Sequence, residues 1–282
     1  MSDSASDAGA DMRAFWNGPA GTSWVEKQVL FDEMYQPIVD ALAWSVVEEG
    51  ARSVLDVGCG TGAAAIEIAR ALGADGRVLG VDVSAPMIAS AQENAKEGGY
   101  GAEFVLADAE THAFEPEMFD MLVSRFGVMF FGDPVAAFGN LRRAMRKDGR
   151  MRVFTWRHPR DNAFMTVAGR VARDYVPDMP KFDPEAPGQF GLAVEARIRR
   201  VLGEAGWREV ELAPMDFDCE MPAAELIPFF TTRGPLGQAF PDMDKGTQDK
   251  VVADLREAFA EYVHGEVVRY TAATWDVRAR AS

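Results

Sequence analysis

Asp56 lies one residue from the end of a short apolar, β-branched run, Ser53–Val57, and three glycines follow within five positions, in Gly58-Cys59-Gly60-Thr61-Gly62. A carboxylate there can hold a cation or accept hydrogen bonds. Glycines beside it let backbone N–H groups approach a ligand with no Cβ in the way. Asp82 and Asp108 close two later apolar runs, and His158 follows another. A carboxylate offers two acceptor oxygens, which suits a vicinal diol, and imidazole titrates near neutrality, which suits proton transfer.

Elements must hold these groups. Ser53–Val57 reads as a buried strand, and Ala63–Leu72, rich in helix formers, as the helix after the glycine turn. Strand, glycine turn and helix together make a nucleotide-sized crevice at the carboxyl ends of an open α/β sheet. Further strands are expected over residues 77–83, 102–107, 119–124, 150–156, 207–217 and 267–277. Helices are expected over 87–96, from 133 to about 145, and over 192–205, 223–232 and 247–262. Residues 28–49 read as two helical pieces broken near Pro37, and Asn17–Gly21 as a turn carrying Phe15, Trp16 and Trp24 around it. Ser84 is the expected N-cap of the helix that Pro86 opens, and residues 147–150 a turn.

Two ligand classes compete for the glycine turn. Gly58-x-Gly60-x-x-Ala63 fits the loose dinucleotide fingerprint, with Asp82 at a suitable distance for a ribose. Charge favours the other class. Asp56 would repel a pyrophosphate, whereas it suits the ammonium and sulfonium of S-adenosylmethionine. Asp56-Val57-Gly58-Cys59-Gly60-Thr61-Gly62 also resembles the first motif of the class I methyltransferases, D/E-x-G-x-G-x-G. Trp156-Arg157-His158-Pro159-Arg160-Asp161-Asn162-Ala163-Phe164 resembles a W-R-x-P-x-x-N-P/A-aromatic run of their bacterial small-molecule branch, the type 11 and ubiquinone/menaquinone-biosynthesis-like enzymes. The likeness runs from about Val25 to Arg280.

That resemblance implies an α/β, Rossmann-like fold: a seven-stranded, mostly parallel sheet, helices on both faces, an antiparallel last pair and a helical cap. It implies S-adenosylmethionine as cofactor and S-adenosylhomocysteine as product. The cofactor residues would be Asp56, Gly58, Cys59, Gly60, Thr61, Gly62 and Val83, with Asp82 at the ribose, Met87 against the adenine, and Asp108 and Ala109 at the adenine edge. A backbone carbonyl of Ser124 or Arg125 would take the ammonium. Trp16, Trp24, Phe126 and Trp156 would border the acceptor, with Phe130 and Phe131 as packing and His158 as candidate general base. No metal is implied. The expected organisation is a disordered lead (1–11), an N-terminal helical lid (12–50), a cofactor-binding core (51–159), and cap insertions with the last strands (160–282). Residues 160–190 and 218–265 are expected to form the cap that sets substrate choice.

Composition limits the partners. The chain has 282 residues and 48% hydrophobic content, enough for a large core, and a formal net charge of −15. The negative balance argues against nucleic acid and anionic membranes. No apolar run is long enough to span a bilayer, the N-terminus lacks signal-peptide features, and two cysteines make no disulfide framework, so the cytoplasm is the expected location. The expected partner is a small-molecule acceptor, and a homodimer is compatible with the sequence. The expected reaction is methyl transfer to an O, N or C nucleophile. A non-catalytic cofactor-binding sensor and an NAD-dependent oxidoreductase are the alternatives. A nucleic-acid or protein methyltransferase is disfavoured by the acidic balance.

Overall fold

The structure, a computed structural model, describes residues 12–99, 101–179, 182–232 and 234–281. The lead expected over 1–11 lies outside them. Four helices come first: α1 (12–17), α2 (Pro19–Glu26), α3 (Gln28–Met34) and α4 (Gln36–Glu48). Then follow β1 (Ser53–Val57), α5 (Ala63–Leu72), β2 (Arg77–Asp82), α6 (Ala85–Gly98), β3 (Ala102–Leu106), β4 (Phe119–Arg125), α7 (Pro134–Ala144) and β5 (Met145–Trp156). The remainder holds α8 (Ala163–Ala172), α9 (Glu195–Glu204), β6 (Trp207–Pro222), α10 (Leu226–Thr231), α11 (Gly234–Ala239), α12 (Lys245–Ala258), β7 (Val263–His264) and β8 (Val267–Ala281).

The chain forms two compact units. The first comprises the described residues of Met1–Trp156, Pro184–Met215 and Thr274–Ser282; the second comprises those of Arg157–Asp183 and Asp216–Ala273. In the first, the strands lie in the order β3-β2-β1-β4-β5-β8-β6. β1 pairs parallel with β2 and β4, β2 with β3, and β4 with β5, while β8 runs antiparallel to β5. β1 is buried along its whole length, which is why its sequence is continuous and apolar instead of alternating. The connections leave β1 in opposite directions, to β2 and β4, so the crevice opens at the carboxyl end of β1. The second unit has an aromatic core in which Phe164 stacks on Tyr270 at 3.9 Å and Phe230 on Phe259 at 4.6 Å.

Local differences from expectation have physical causes. The turn at Asn17–Gly21 is confined to Gly18, because Pro19 is suited to the first position of a helix and α2 starts there. Residues 28–49 do break, at Tyr35, with Pro37 in the first turn of α4. Residues 147–150 do not end the element: β5 already starts at Met145 and carries a bulge, with Asp148 at φ 61° and a register shift against Phe119 and Met121. Two-residue β7, too short to read in sequence, adds an eighth strand antiparallel to the start of β8.

Candidate functional site

The site residues described first all belong to the first unit. At its floor, the Gly58 and Cys59 N–H groups donate to the Val81 carbonyl, at 2.8 and 3.1 Å, which fastens the glycine loop to β2. Gly58 sits against Gly127 so closely that an added Cβ would lie 2.5 Å from the Gly127 Cα. Gly60 is different. At φ +56°, its missing side chain points into a space where the nearest groups are Met87 Sδ at 3.7 Å and Trp24 Nε1 at 3.9 Å. That space is a cradle a side chain would enter. Gly62 is the N-cap of α5, and the buried Thr61 hydroxyl has no hydrogen-bond partner among the described residues.

Asp56 lies beneath this loop, 1% exposed, and neither carboxylate oxygen has a hydrogen-bond partner among the described residues. Burial drives its pKa from 3.8 to about 7. Nearby Arg125 opposes the rise, Asp82 adds to it, and the Ala65 amide favours the anion without closing a bond. Arg125, at the end of β4, donates from Nη2 to Asp32 Oδ1 of α3 at 2.9 Å, and its buried Nη1 has no partner among the described residues. Asp82 is occupied by the loop. Its Oδ2 accepts from Gly60 N–H and its Oδ1 from Ser84 N–H, both at 2.9 Å. Burial raises its pKa, and the Ser84, Gly60 and Val83 amides hold the rise down. Each oxygen retains a second lone pair.

The rim is laced to the N-terminal helices. Arg13 Nη1 of α1 donates to Asp108 Oδ2 at 2.9 Å, while Glu110 N–H donates to Asp108 Oδ1. Asn17 Nδ2 donates to the Val83 carbonyl at 2.9 Å, and Asn17 Oδ1 accepts from Ala85 N–H. Ser84 stands at the expected N-cap, yet its hydroxyl donates to the Trp16 carbonyl instead of capping α6; Asn17 serves that helix end from outside. The Ala109 carbonyl accepts from buried Asn140.

An aromatic series runs along these helices. Trp16 meets Trp24 and Phe130 edge to face, and Trp24 stacks on Phe31 at 4.1 Å. Tyr35 lies edge-on to both Phe126 and Trp156, which stack on one another at 4.4 Å. Phe126 has φ +66°, a region costly for a side chain with a Cβ. Trp16 and Trp24 are half-buried, whereas Phe126 and Trp156 are buried as an inner layer. Phe130, expected as packing, is half-buried and faces Trp16.

Asp56, Asp82, Met87, the glycine loop, Arg125 and Trp24 thus gather at one strand-end region. The Ser124 and Cys59 side chains are engaged within the protein, which leaves their backbone groups, the ones expected at the ligand, unaffected. The Ser124 hydroxyl donates to the Val57 carbonyl at 2.6 Å and accepts from Gly127 N–H. The Cys59 thiol is buried, and burial with the Asp82 and Asp56 carboxylates pushes its pKa well up. His158 lies in the second unit, where its Nδ1 accepts from Arg160 N–H at 3.1 Å and its ring meets Phe182 edge-on. In the neutral ring this leaves the proton on Nε2. Arg13, Asn17, Asp32 and Tyr35 were not expected at the site. Their partners are distant in sequence, 93 residues for Asp32 and 95 for Arg13, and no local pattern announces such contacts.

Residues 54–149 match the model of the methyltransferase domain family. The nocamycin O-methyltransferase of Saccharothrix syringae is 32% identical over 251 residues, 85% of this chain and 89% of that one. The chain belongs to the S-adenosylmethionine-dependent methyltransferases. A ubiquinone/menaquinone biosynthesis C-methyltransferase of Hahella chejuensis is 34% identical to this methyltransferase over 117 residues, covering 41% of it and 47% of the relative. The magnesium protoporphyrin IX methyltransferase of Synechocystis PCC 6803, solved with bound S-adenosylhomocysteine, shares the fold. Its TM-score is 0.57 at 16% identity, covering 98% of this chain and all of that one. The methyltransferase therefore uses S-adenosylmethionine, and the dinucleotide reading of the glycine turn falls away. Its residues suit that cofactor: two acid oxygens without donors await a cationic group, and the space over Gly60 is open. Among the described residues, no helix is long and apolar enough to cross a membrane.

Proposed function

We propose that this methyltransferase acts on an oxygen nucleophile of a small, largely apolar molecule. The observation carrying this reading is the reach of the similarity. The likeness to an O-methyltransferase runs through 85% of the chain, whereas that to a quinone C-methyltransferase stops at 41%. The aromatic series of Trp16, Trp24, Tyr35, Phe126 and Trp156 supports an apolar acceptor, since such side chains offer large, rigid contact area.

S-adenosylmethionine supplies an activated methyl on a sulfonium. In this proposal Asp56 holds the ammonium, and Asp82 accepts from the ribose hydroxyls with its remaining lone pairs. Val83 and Met87 flank the adenine; Asp108 and the Ala109 N–H read its edge. Gly58, Cys59, Gly60, Thr61 and Gly62 let the ligand lie close to the backbone, and Ser124 joins β4 to β1 beneath it. The protein's share of the catalysis is alignment and exclusion of water. Positioning of this kind supplies on the order of 7–11 kcal/mol where the reacting atoms are well placed. Residues 160–190 and 218–265 are assigned to acceptor choice, so exchanging them for a relative's should change acceptor range while leaving cofactor affinity in place.

The proton of the acceptor must leave. His158 is the candidate base, but its Nδ1 lone pair is engaged by Arg160, so that bond must open before it can take a proton. An acceptor that is already ionised, an enol or a carboxylic acid, needs no base. His158→Ala is expected to reduce turnover only a few-fold with such acceptors and more with neutral alcohols. Incubation with isotope-labelled methyl donor and fractionated cell extract, with magnetic resonance of the product, distinguishes oxygen-, nitrogen- and carbon-bound methyl. Label on carbon or nitrogen would overturn the oxygen assignment.

A further inference from the structure

We propose that Arg125, held in place by Asp32, anchors the carboxylate of the cofactor's amino-acid tail. This rests on the assignment of Asp56 to the ammonium made above.

The Arg125 side chain is 7% exposed. One arm is fixed: Nη2 donates to Asp32 Oδ1 at 2.9 Å. The other, Nη1, is buried and unmatched, as are both oxygens of Asp56, whose charge Arg125 senses. These two groups do not satisfy one another; among the described residues no ion pair joins them. A buried donor or acceptor left unmade is costly, more so when charged. A metal ion would serve Asp56 and repel Arg125. A simple anion would do the reverse. A ligand carrying both an ammonium and a carboxylate on one carbon satisfies both.

Charge balance points the same way. With Asp82 beside them, Asp32, Asp56 and Arg125 leave the site negative in balance when the acids are ionised, which favours a ligand of net positive charge. S-adenosylmethionine, with an ammonium, a sulfonium and a carboxylate, brings one positive charge in excess. Asp32 is thus a positioning residue: it takes one arm of the fork and leaves the other for the ligand.

The test is a matrix of ligands and variants read by titration calorimetry. The ligands are S-adenosylhomocysteine, its decarboxylated analogue, which keeps the amine, and its deaminated analogue, which keeps the carboxylate. The variants are Arg125→Gln, Asp32→Asn and Asp56→Asn. The wild-type protein should bind the decarboxylated analogue about 10- to 100-fold more weakly than S-adenosylhomocysteine, as expected for a charge-assisted bond. Arg125→Gln should lose that same factor for S-adenosylhomocysteine and nothing further for the decarboxylated analogue. Asp32→Asn should show a smaller loss with the same selectivity. It and the wild-type ligand comparison decide the matter if Arg125→Gln does not fold. Equal losses for both ligands in Arg125→Gln, or wild-type affinity indifferent to the carboxylate, would overturn the proposal. Failure of the parent assignment has its own signature: Asp56→Asn would weaken S-adenosylhomocysteine and the deaminated analogue alike.

Discussion

Two buried acid–guanidinium sets in the first unit differ in one respect. Arg152 of β5 and Asp276 of β8 close fork to fork, Nε to Oδ1 at 3.0 Å and Nη2 to Oδ2 at 2.8 Å. Arg152 Nη1 donates to the Ala41 carbonyl, and Arg278 adds a further bond to Asp276. Burial alone would raise the Asp276 pKa, but the bonds from Arg152 and Arg278 bring it below its ordinary value. Arg125 and Asp56, equally buried, do not close, and Asp56 rises to about 7. The first set belongs to the frame. The second keeps its hydrogen-bonding capacity for something that arrives from outside. Buried ion pairs are weak evidence for stability by themselves, and it is their completeness that separates these two.

The largest effect should come from breaking the closed set. Asp276→Ala leaves a buried guanidinium without its partner and is expected to cost about 3–5 kcal/mol, measured by denaturant unfolding. Asp56→Asn removes an unmatched charge, and at pH 8 it should leave the ligand-free protein as stable or more so. Equal destabilisation by both would erase the contrast. The order inverts when cofactor binding is measured. Asp56→Asn should weaken S-adenosylhomocysteine by about 1.5–3 kcal/mol in calorimetry, as expected for a lost bond between charged groups.

The pH dependence of the two sets should have opposite sign. Asp56 has a folded pKa above its unfolded one, so its contribution to ligand-free stability is complete below about pH 4 and is lost as pH rises through about 7. Asp276 has a lowered folded pKa, so its contribution is present above the unfolded value and is lost as pH falls through the folded one. Stability curves of wild type and Asp56→Asn should diverge between pH 4 and 7 and run parallel above. Asp276→Asn should differ in pH response only at the acid end. Well below that of Asp276→Ala, a modest effect on the fold is expected for Gly60→Ala. It places a Cβ at φ +56°, a strain of about 1–2 kcal/mol, but clashes with nothing. Its larger effect should be on the cofactor, through loss of the space beside Met87 and Trp24.

The open set was legible in one half only. Asp56 could be read because it ends an apolar strand ahead of three glycines, a local pattern with a local meaning. The parallel sheet was readable for the same reason, since its strands are short apolar runs closed by acids or glycines. Asp32 and Arg13 could not be read, because nothing near them in the chain indicates that α3 and α1 deliver them to β4 and to Asp108. Ser84 was assigned the right position and the wrong bond, since the competing Trp16 carbonyl comes from 68 residues away. The Asp148 bulge resembled a turn because both use the same residues.

Gly58 and Gly127 meet backbone to backbone, and a methyl added to either would run into the other within 2.6 Å. At these two residues the chain after β1 and the chain after β4 touch backbone on backbone, and the Ser124 hydroxyl ties them together. Neither glycine position tolerates a side chain, so variation must fall on what surrounds them. An enzyme engineer should leave these two positions alone and randomise the tryptophans and phenylalanines instead.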